Sequence, residues 1–148
     1  MGVANGRAEF GPRAFGNRSL LADPRGKDIK NRVNAIKKRQ TFRPFAPAVL
    51  SEHYDKNFEG SANSYMQFTS RCKNPNLYPA ITHFDGTSRV QVVQKDDSGI
   101  RRLLERWYEE TGCPMILNTS LNIKGKPIVN DVEDGVEFAK KYNIKVFF

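Results

Sequence analysis

The sequence predicts an α/β (α+β) fold, a mixed sheet with packed helices in a single domain, on three observations. Segments with helical period alternate with short apolar runs of strand character. The strongest helical pattern has all its large apolar residues on one face and ends on Gly112. The 148 residues suit one domain with a core that needs no disulfide or metal staple.

The elements follow in order. Residues 1–26 are rich in Gly and Arg and read as strand and loop. Asp23-Pro24 is a helix-start signal, so a basic helix is expected from Pro24 to Lys38, with Ile29, Val33 and Ile36 on its apolar face. Pro44 and Pro47 keep residues 42–50 extended, as an edge strand or a rigid loop. Residues 51–78 are polar and irregular, with a short helix at 51–57. Pro79 to Val93 reads as two short strands about the turn Asp85-Gly86-Thr87, which would put Arg89 and Gln91 on one strand face. A helix from Ser98 to Thr111 presents Ile100, Leu103, Leu104, Trp107 and Tyr108 on one face, with Gly112 at its C′ position. Pro114 to Asn118 is a buried strand. Asp131 caps a last helix whose first turn carries Glu133 and Asp134, and Ile144 to Phe148 closes the sheet. A strand ending on Phe147-Phe148 suggests that the natural chain continues.

Composition narrows the function classes. No apolar run reaches the length of a membrane span and no leader is recognisable, so a cytoplasmic location is expected. Cys72 and Cys113 form no CxxC pair and read as reduced thiols. The net charge of +8 favours anionic partners, either nucleic acid or phosphorylated small molecules.

Four segments carry chemistry. In the first, Gly6, Gly11 and Gly16 alternate with Arg7, Arg13 and Arg18. Glycine lets a ligand approach the backbone, and the guanidinium fork grips phosphate oxygens, so this is the composition of an anion cradle. Composition alone leaves a mobile basic loop equally open. No Gly-Lys-Ser/Thr follows, so it is not a P-loop. The second segment, Lys37 to Phe45, holds Lys37, Lys38, Arg39 and Arg43. A solvated helix end accounts for Lys38 and Arg39, whereas Arg43 lies between Phe42, Pro44 and Phe45 in a stiff apolar setting. The third, Thr82 to Gln91, contains Arg89. Its His83 has no ligand pattern around it, and no metal site is expected. In the fourth, a strand delivers Asn118, Ser120 and Asn122 on one face at its C-terminal end, where α/β sheets bind ligands.

Taken together, Gly6-Arg7-Ala8-Glu9-Phe10-Gly11-Pro12-Arg13-Ala14-Phe15-Gly16-Asn17-Arg18-Ser19, Ala22-Asp23-Pro24-Arg25, Phe42-Arg43-Pro44-Phe45-Ala46-Pro47, Thr82-His83-Phe84-Asp85-Gly86-Thr87-Ser88-Arg89-Val90-Gln91 and Leu117-Asn118-Thr119-Ser120-Leu121-Asn122 resemble the C-terminal domain of the O-carbamoyltransferases, the family of the nodulation, cephamycin and tobramycin carbamoyltransferases. The resemblance spans residues 1–148. It implies a YrdC-like twisted sheet that binds ATP with substrate-held Mg²⁺, and a reaction with carbamoyl phosphate that yields carbamoyl-adenylate. It also implies a Kae1-like N-terminal metal domain, absent before residue 1 here, that passes the carbamoyl group to an acceptor hydroxyl. The family's nucleotide-binding cations fall on Arg13, Lys37, Arg43 and Arg89, with Lys37 and Arg43 in catalytic roles, and its polar ligands fall on Asn118, Ser120 and Asn122. Phe15 and Leu121 depart from the usual Leu and Phe, and Lys124 and Lys126 from a usual Arg and Glu, which adds positive charge beside the pocket. Two other readings stand beside this one: an RNA- or nucleotide-binding module, disfavoured because the aromatic residues read as sitting beside prolines or on the amphipathic helix, and an inactive isolated domain.

Overall fold

A computed structural model describes residues 1–97 and 99–148; Ser98, the expected first residue of the amphipathic helix, lies outside the described residues. The elements are β1 (Gly2–Ala4), β2 (Arg18–Ala22), α1 (Ile29–Lys37), β3 (Ala46–Leu50), a 3₁₀ turn (Ser51–His53), α2 (Tyr54–Asn57), β4 (Phe58–Glu59), β5 (Ser70–Cys72), β6 (Thr87–Ser88), β7 (Gln91–Val93), α3 (Ile100–Thr111), β8 (Met115–Ser120), α4 (Val132–Tyr142) and β9 (Val146–Phe147). The expected α/β class with a mixed sheet is the fold observed. Six strands run in the order β7-β3-β8-β2-β1-β9, and β4-β5-β6 form a small second sheet. The β3–β8, β8–β2 and β2–β1 pairs are antiparallel, and β7–β3 and β1–β9 are parallel.

Strand alternation sends side chains to two cores. Leu20, Val49, Met115 and Leu117 face Val33 of α1 and Phe138 of α4. Leu21, Ala48, Leu50 and Ile116 face Ile100 and Leu104 of α3. Helices therefore cover both faces of the sheet. Each fully buried Leu or Ile contributes about 1.5–3 kcal/mol relative to exposure. β8, at the centre of the large sheet, is continuously buried from Met115 to Asn118, which is why it reads as an unbroken apolar run. Both cysteines are buried free thiols. No helix among the described residues is long and apolar enough to cross a membrane.

Three local expectations are corrected. The basic helix begins at Ile29, not Pro24. The Asp23 carboxylate accepts the Arg25 backbone N–H at 3.0 Å and the Arg25 guanidinium at 2.8 Å, so Asp23 organises a turn through Pro24 instead of capping a helix. The proline-bearing segment supplies β3, an interior strand rather than an edge. Pro47 is tolerated there because the ladder to β7 begins one residue later, at Ala48. Finally, Pro79 to Val93 is not a hairpin. The Asp85 turn is present, its carboxylate accepting the Thr87 N–H at 2.9 Å. Residues 79–82 before it form turn and irregular backbone, however, and Thr87–Ser88 pair with β5. The chain crosses from the small sheet to the large one before Gln91. Arg89 is therefore exposed ahead of β7 while Gln91 is buried within it, and the two do not share a strand face.

Candidate anion cleft

The site lies where β8 ends and β3 begins, under the Gly–Arg loop of residues 5–17. That loop is anchored at several points. One Glu9 carboxylate oxygen accepts the backbone N–H groups of Phe15 at 2.9 Å and Asn17 at 2.6 Å. Arg18, with only 7% of its surface exposed, donates to the carbonyls of Asn5, Gly6 and Asn17 within or beside the loop and to those of Val129 and Asn130 across from it, at 3.0–3.1 Å. Arg18 is thus structural, held by carbonyls instead of by an acid. At Gly16, φ is +135°, and a Cβ there would lie 2.6 Å from Cβ of Ile100, so glycine is required for the loop to seat on α3.

Arg13 projects from this loop into a cleft of about 170 Å³ that it shares with Arg39, Phe45, Met66, Arg89 and Ser120. No carboxylate lines the cleft among the described residues. Arg39 is the most firmly held of its cations. Its guanidinium sits 3.9 Å from the centre of the Phe45 ring, with Nε donating to Asn34 Oδ1 at 2.6 Å and Nη2 to the Pro44 carbonyl at 3.0 Å. Burial, then the charges of Arg43 and Arg89, push Arg39 down to about 10. Arg89, exposed at its surface but partly desolvated at its guanidinium, is lowered too, by that desolvation and then by Arg13 and Arg43. Arg39 and Arg89 therefore feel the repulsion of neighbouring guanidiniums here. A phosphate would relieve it with charge-assisted bonds.

Lys37, the last residue of α1, reaches the end of β8. Its ammonium donates to the Ser120 carbonyl at 2.8 Å, to the Asn122 carbonyl at 3.2 Å and to the Asn122 side-chain oxygen. Burial, followed by Arg39, pushes Lys37 down to about 8. Ser120 donates to the same Asn122 side-chain oxygen at 2.8 Å, although Asn122 itself lies beyond the strand.

The seven residues singled out from the sequence thus fall around one end of the sheet. Arg13 and Arg89 line the cleft and Arg43 is an exposed cation close enough to depress both Arg39 and Arg89. Lys37, Ser120 and Asn122 form a bonded trio at the end of β8, and of the three Ser120 lines the cleft. Asn118 is only 1% exposed, and its amide N–H groups are spent on the Ala14 carbonyl at 3.1 Å and Gln91 Oε1 at 2.8 Å. Three residues escaped sequence reasoning. Arg39 read as a solvated helix end, but Lys38 takes the left-handed conformation (φ 47°) and turns the chain so that Arg39 folds back over Phe45. Glu9 and Gln91 act on the loop backbone, and no spacing rule announces such bonds. One negative expectation also changes. Phe10 and Phe84 are fully exposed, and Phe42 and Tyr65 are more than half exposed, so aromatic stacking surfaces do exist on this domain.

Comparison with known proteins places the chain in a family. The sequence model of the carbamoyltransferase C-terminus family matches residues 1–148. The chain is similar to nodulation protein NolO of Bradyrhizobium diazoefficiens, 42% identical over 144 residues that make up 92% of this chain and 26% of that protein. It is 40% identical to the 3'-hydroxymethylcephem-O-carbamoyltransferase of Amycolatopsis lactamdurans over 143 residues, 94% of this chain and 27% of that enzyme. Nodulation protein U of Azorhizobium caulinodans is 39% identical over 131 residues, 86% of this chain and 23% of that protein. The chain spans about a quarter of the length of the curated relatives it matches.

Proposed function

The chain belongs to the carbamoyltransferase C-terminus family, and on that premise we propose that its arginine cleft binds ATP and carbamoyl phosphate and forms carbamoyl-adenylate. The observation that carries this reading is the convergence of Arg13, Arg39 and Arg89 on one cleft, with Arg43 close by, that no carboxylate lines among the described residues. Such a cluster has little reason to persist in a fold unless an anion completes it. ATP and carbamoyl phosphate bring enough negative charge that their joint binding needs several fixed cations.

In the proposed reaction, transfer of the phosphoryl group of carbamoyl phosphate to water leaves carbamate. A carbamate oxygen then attacks the α-phosphorus of ATP, the bond to the bridging oxygen breaks, and pyrophosphate departs. Arg13, Arg39 and Arg89 stabilise charge on the phosphoryl oxygens, Arg43 grips the leaving group from the rim, and Lys37 supports the strand end on which Ser120 and Asn122 stand. Mg²⁺ enters as part of the ATP substrate. A YrdC-like description of the sheet belongs to the same reading. So does a partner domain that delivers the carbamoyl group to an acceptor hydroxyl, as the name of the cephem-directed relative suggests.

Calorimetric titration with ATP–Mg²⁺ and with carbamoyl phosphate tests the proposal. Saturable binding that Arg43→Ala weakens is expected; absence of binding, with Arg43→Ala indistinguishable from wild type, would sink it. Pyrophosphate release then separates an active domain from a binding-only one. The exposed rings of Phe10, Phe42 and Phe84, with the +8 charge, favour single-stranded nucleic acid as the second reading. Salt-dependent RNA binding that ATP does not compete would select it.

A further inference from the structure

The arginines of the cleft are only as useful as the backbone that aims them. Arg13 is followed directly by Ala14-Phe15-Gly16-Asn17, and this stretch is held from two sides. From one side, Glu9 takes the N–H groups of Phe15 and Asn17. From beneath, two buried amides take the carbonyls: Asn118 Nδ2 donates to Ala14 O at 3.1 Å and Gln91 Nε2 donates to Phe15 O at 2.8 Å. The amides are joined to each other by the 2.8 Å bond from Asn118 Nδ2 to Gln91 Oε1. Gln91 is 3% exposed and begins β7, whose backbone is locked to β3 at Ala48. The chain Ala48–Gln91–Asn118 is therefore a rigid bracket running from the sheet to the loop.

Resting on the reading of the cleft as a phosphate site, we infer that Gln91 is a positioning residue for Arg13. It does not line the cleft and so has no direct contact to offer a ligand there. Its effect passes through the Phe15 carbonyl. Without it, Phe15 O and one Asn118 N–H lose their partners under the loop, and the loop lifts to find water. Arg13 then samples several positions, and ordering it becomes a cost of binding. Preorganised groups lose affinity sharply when their support is removed.

The test is a double-mutant cycle with pyrophosphate–Mg²⁺ as the titrant. Gln91→Leu is expected to weaken binding by about tenfold in the wild-type and Arg43→Ala backgrounds, and by less than about twofold in the Arg13→Ala background. A Gln91→Leu loss of equal size in the Arg13→Ala background would overturn the inference, as would no loss at all. Should Gln91→Leu not fold, Gln91→Met serves. Its thioether keeps the length of the side chain but cannot donate to Phe15 O, and the same pattern across backgrounds is expected. Hydrogen exchange over residues 10–18 reads the loop with no ligand present. Faster exchange at Phe15 and Asn17 in the variant supports the bracket; unchanged exchange overturns it. If wild type failed to bind pyrophosphate, the phosphate-site reading would fall on that result, while the exchange measurement would still decide whether Gln91 orders the loop.

Discussion

Two regions of this molecule gather arginine and use it in opposite ways. On the α3 side, Arg101 is almost buried and fully answered. It meets Glu52 and Glu105 at 2.6 Å each and the Val93 carbonyl at 3.3 Å. Hydrogen bonding to Glu52 raises it and holds Glu52 down at about 2. In the cleft, burial and mutual repulsion lower Arg39 and Arg89. The same side chain is a finished part of the fold where carboxylates or carbonyls complete it, and an unfinished one where other cations surround it. A cluster of arginines in a cleft that no carboxylate lines among the described residues is a sharper reason to propose a binding site than the total of +8 is.

The comparison breaks first at Arg18, the second answered arginine. Its guanidinium bonds to carbonyls at both ends of the loop and across to residues 129 and 130. Arg18→Met would leave several of them unpaired. A loss of about 3–4 kcal/mol in urea unfolding is expected, with weakened anion binding as a consequence of a loosened loop. A loss below about 1 kcal/mol would mean that water replaces Arg18 and that the distinction between answered and unanswered arginines is not structural.

The converse holds for the cleft. Arg43 is exposed and adds repulsion to Arg39 and Arg89. Arg43→Ala should leave stability within about 0.5 kcal/mol of wild type, or slightly raise it. ATP affinity should fall about tenfold or more, near 1.4 kcal/mol, the size of a lost charge-assisted phosphate contact. Chemical denaturation and calorimetry on the same sample check both halves. A variant that loses stability but not affinity would place Arg43 with Arg18.

These differences explain what the sequence could and could not disclose. The α3 and α4 patterns, the buried run at β8 and the Asp131 cap were legible because each depends on local periodicity or a single capping bond, here the Asp134 N–H to Asp131 at 3.0 Å. The strand at 46–50 was legible as extended but not as interior, since only its partners β7 and β8 decide that. Within the site, Arg13 and Arg89 could be picked out from motif context. Arg39 could not, because its place depends on a left-handed Lys38 and on the Phe45 ring. Gln91 and Glu9 were invisible for a related reason. Their partners are backbone atoms 76 and 6–8 residues away, which carry no sequence signature.

Lys37 sharpens the comparison at smaller scale, because it is a half-buried cation answered by neutral oxygens. With a folded value near 8 against 10.5 in the unfolded chain, the unfolded state holds more protons between those values. Stability attributable to Lys37 must therefore rise with pH across that window, and its burial cost is fully present below about pH 8. An increment of about 1 kcal/mol between pH 8 and 9 is expected for wild type relative to Lys37→Met. Using the difference between the two proteins removes the contribution of Cys113, which burial raises and which acts in the opposite direction above pH 9. A flat difference would show that the oxygens of Ser120 and Asn122 offset burial completely.

The smallest effect belongs to a third kind of arginine. Arg106 pairs with Glu109 at 3.1 Å and Glu110 at 2.7 Å, but all three side chains are more than 60% exposed. Water screens such pairs and competes for each partner, and ordering long side chains offsets much of the attraction. Arg106→Ala should change unfolding free energy by less than about 0.5 kcal/mol and leave ATP titrations unaltered. The change should shrink further in 0.5 M salt. An effect as large as that of Arg43→Ala on nucleotide affinity would mean that net positive charge, not the placement of guanidiniums, governs anion binding here. Arg106 is therefore the control on which the contrast between the two arginine regions rests.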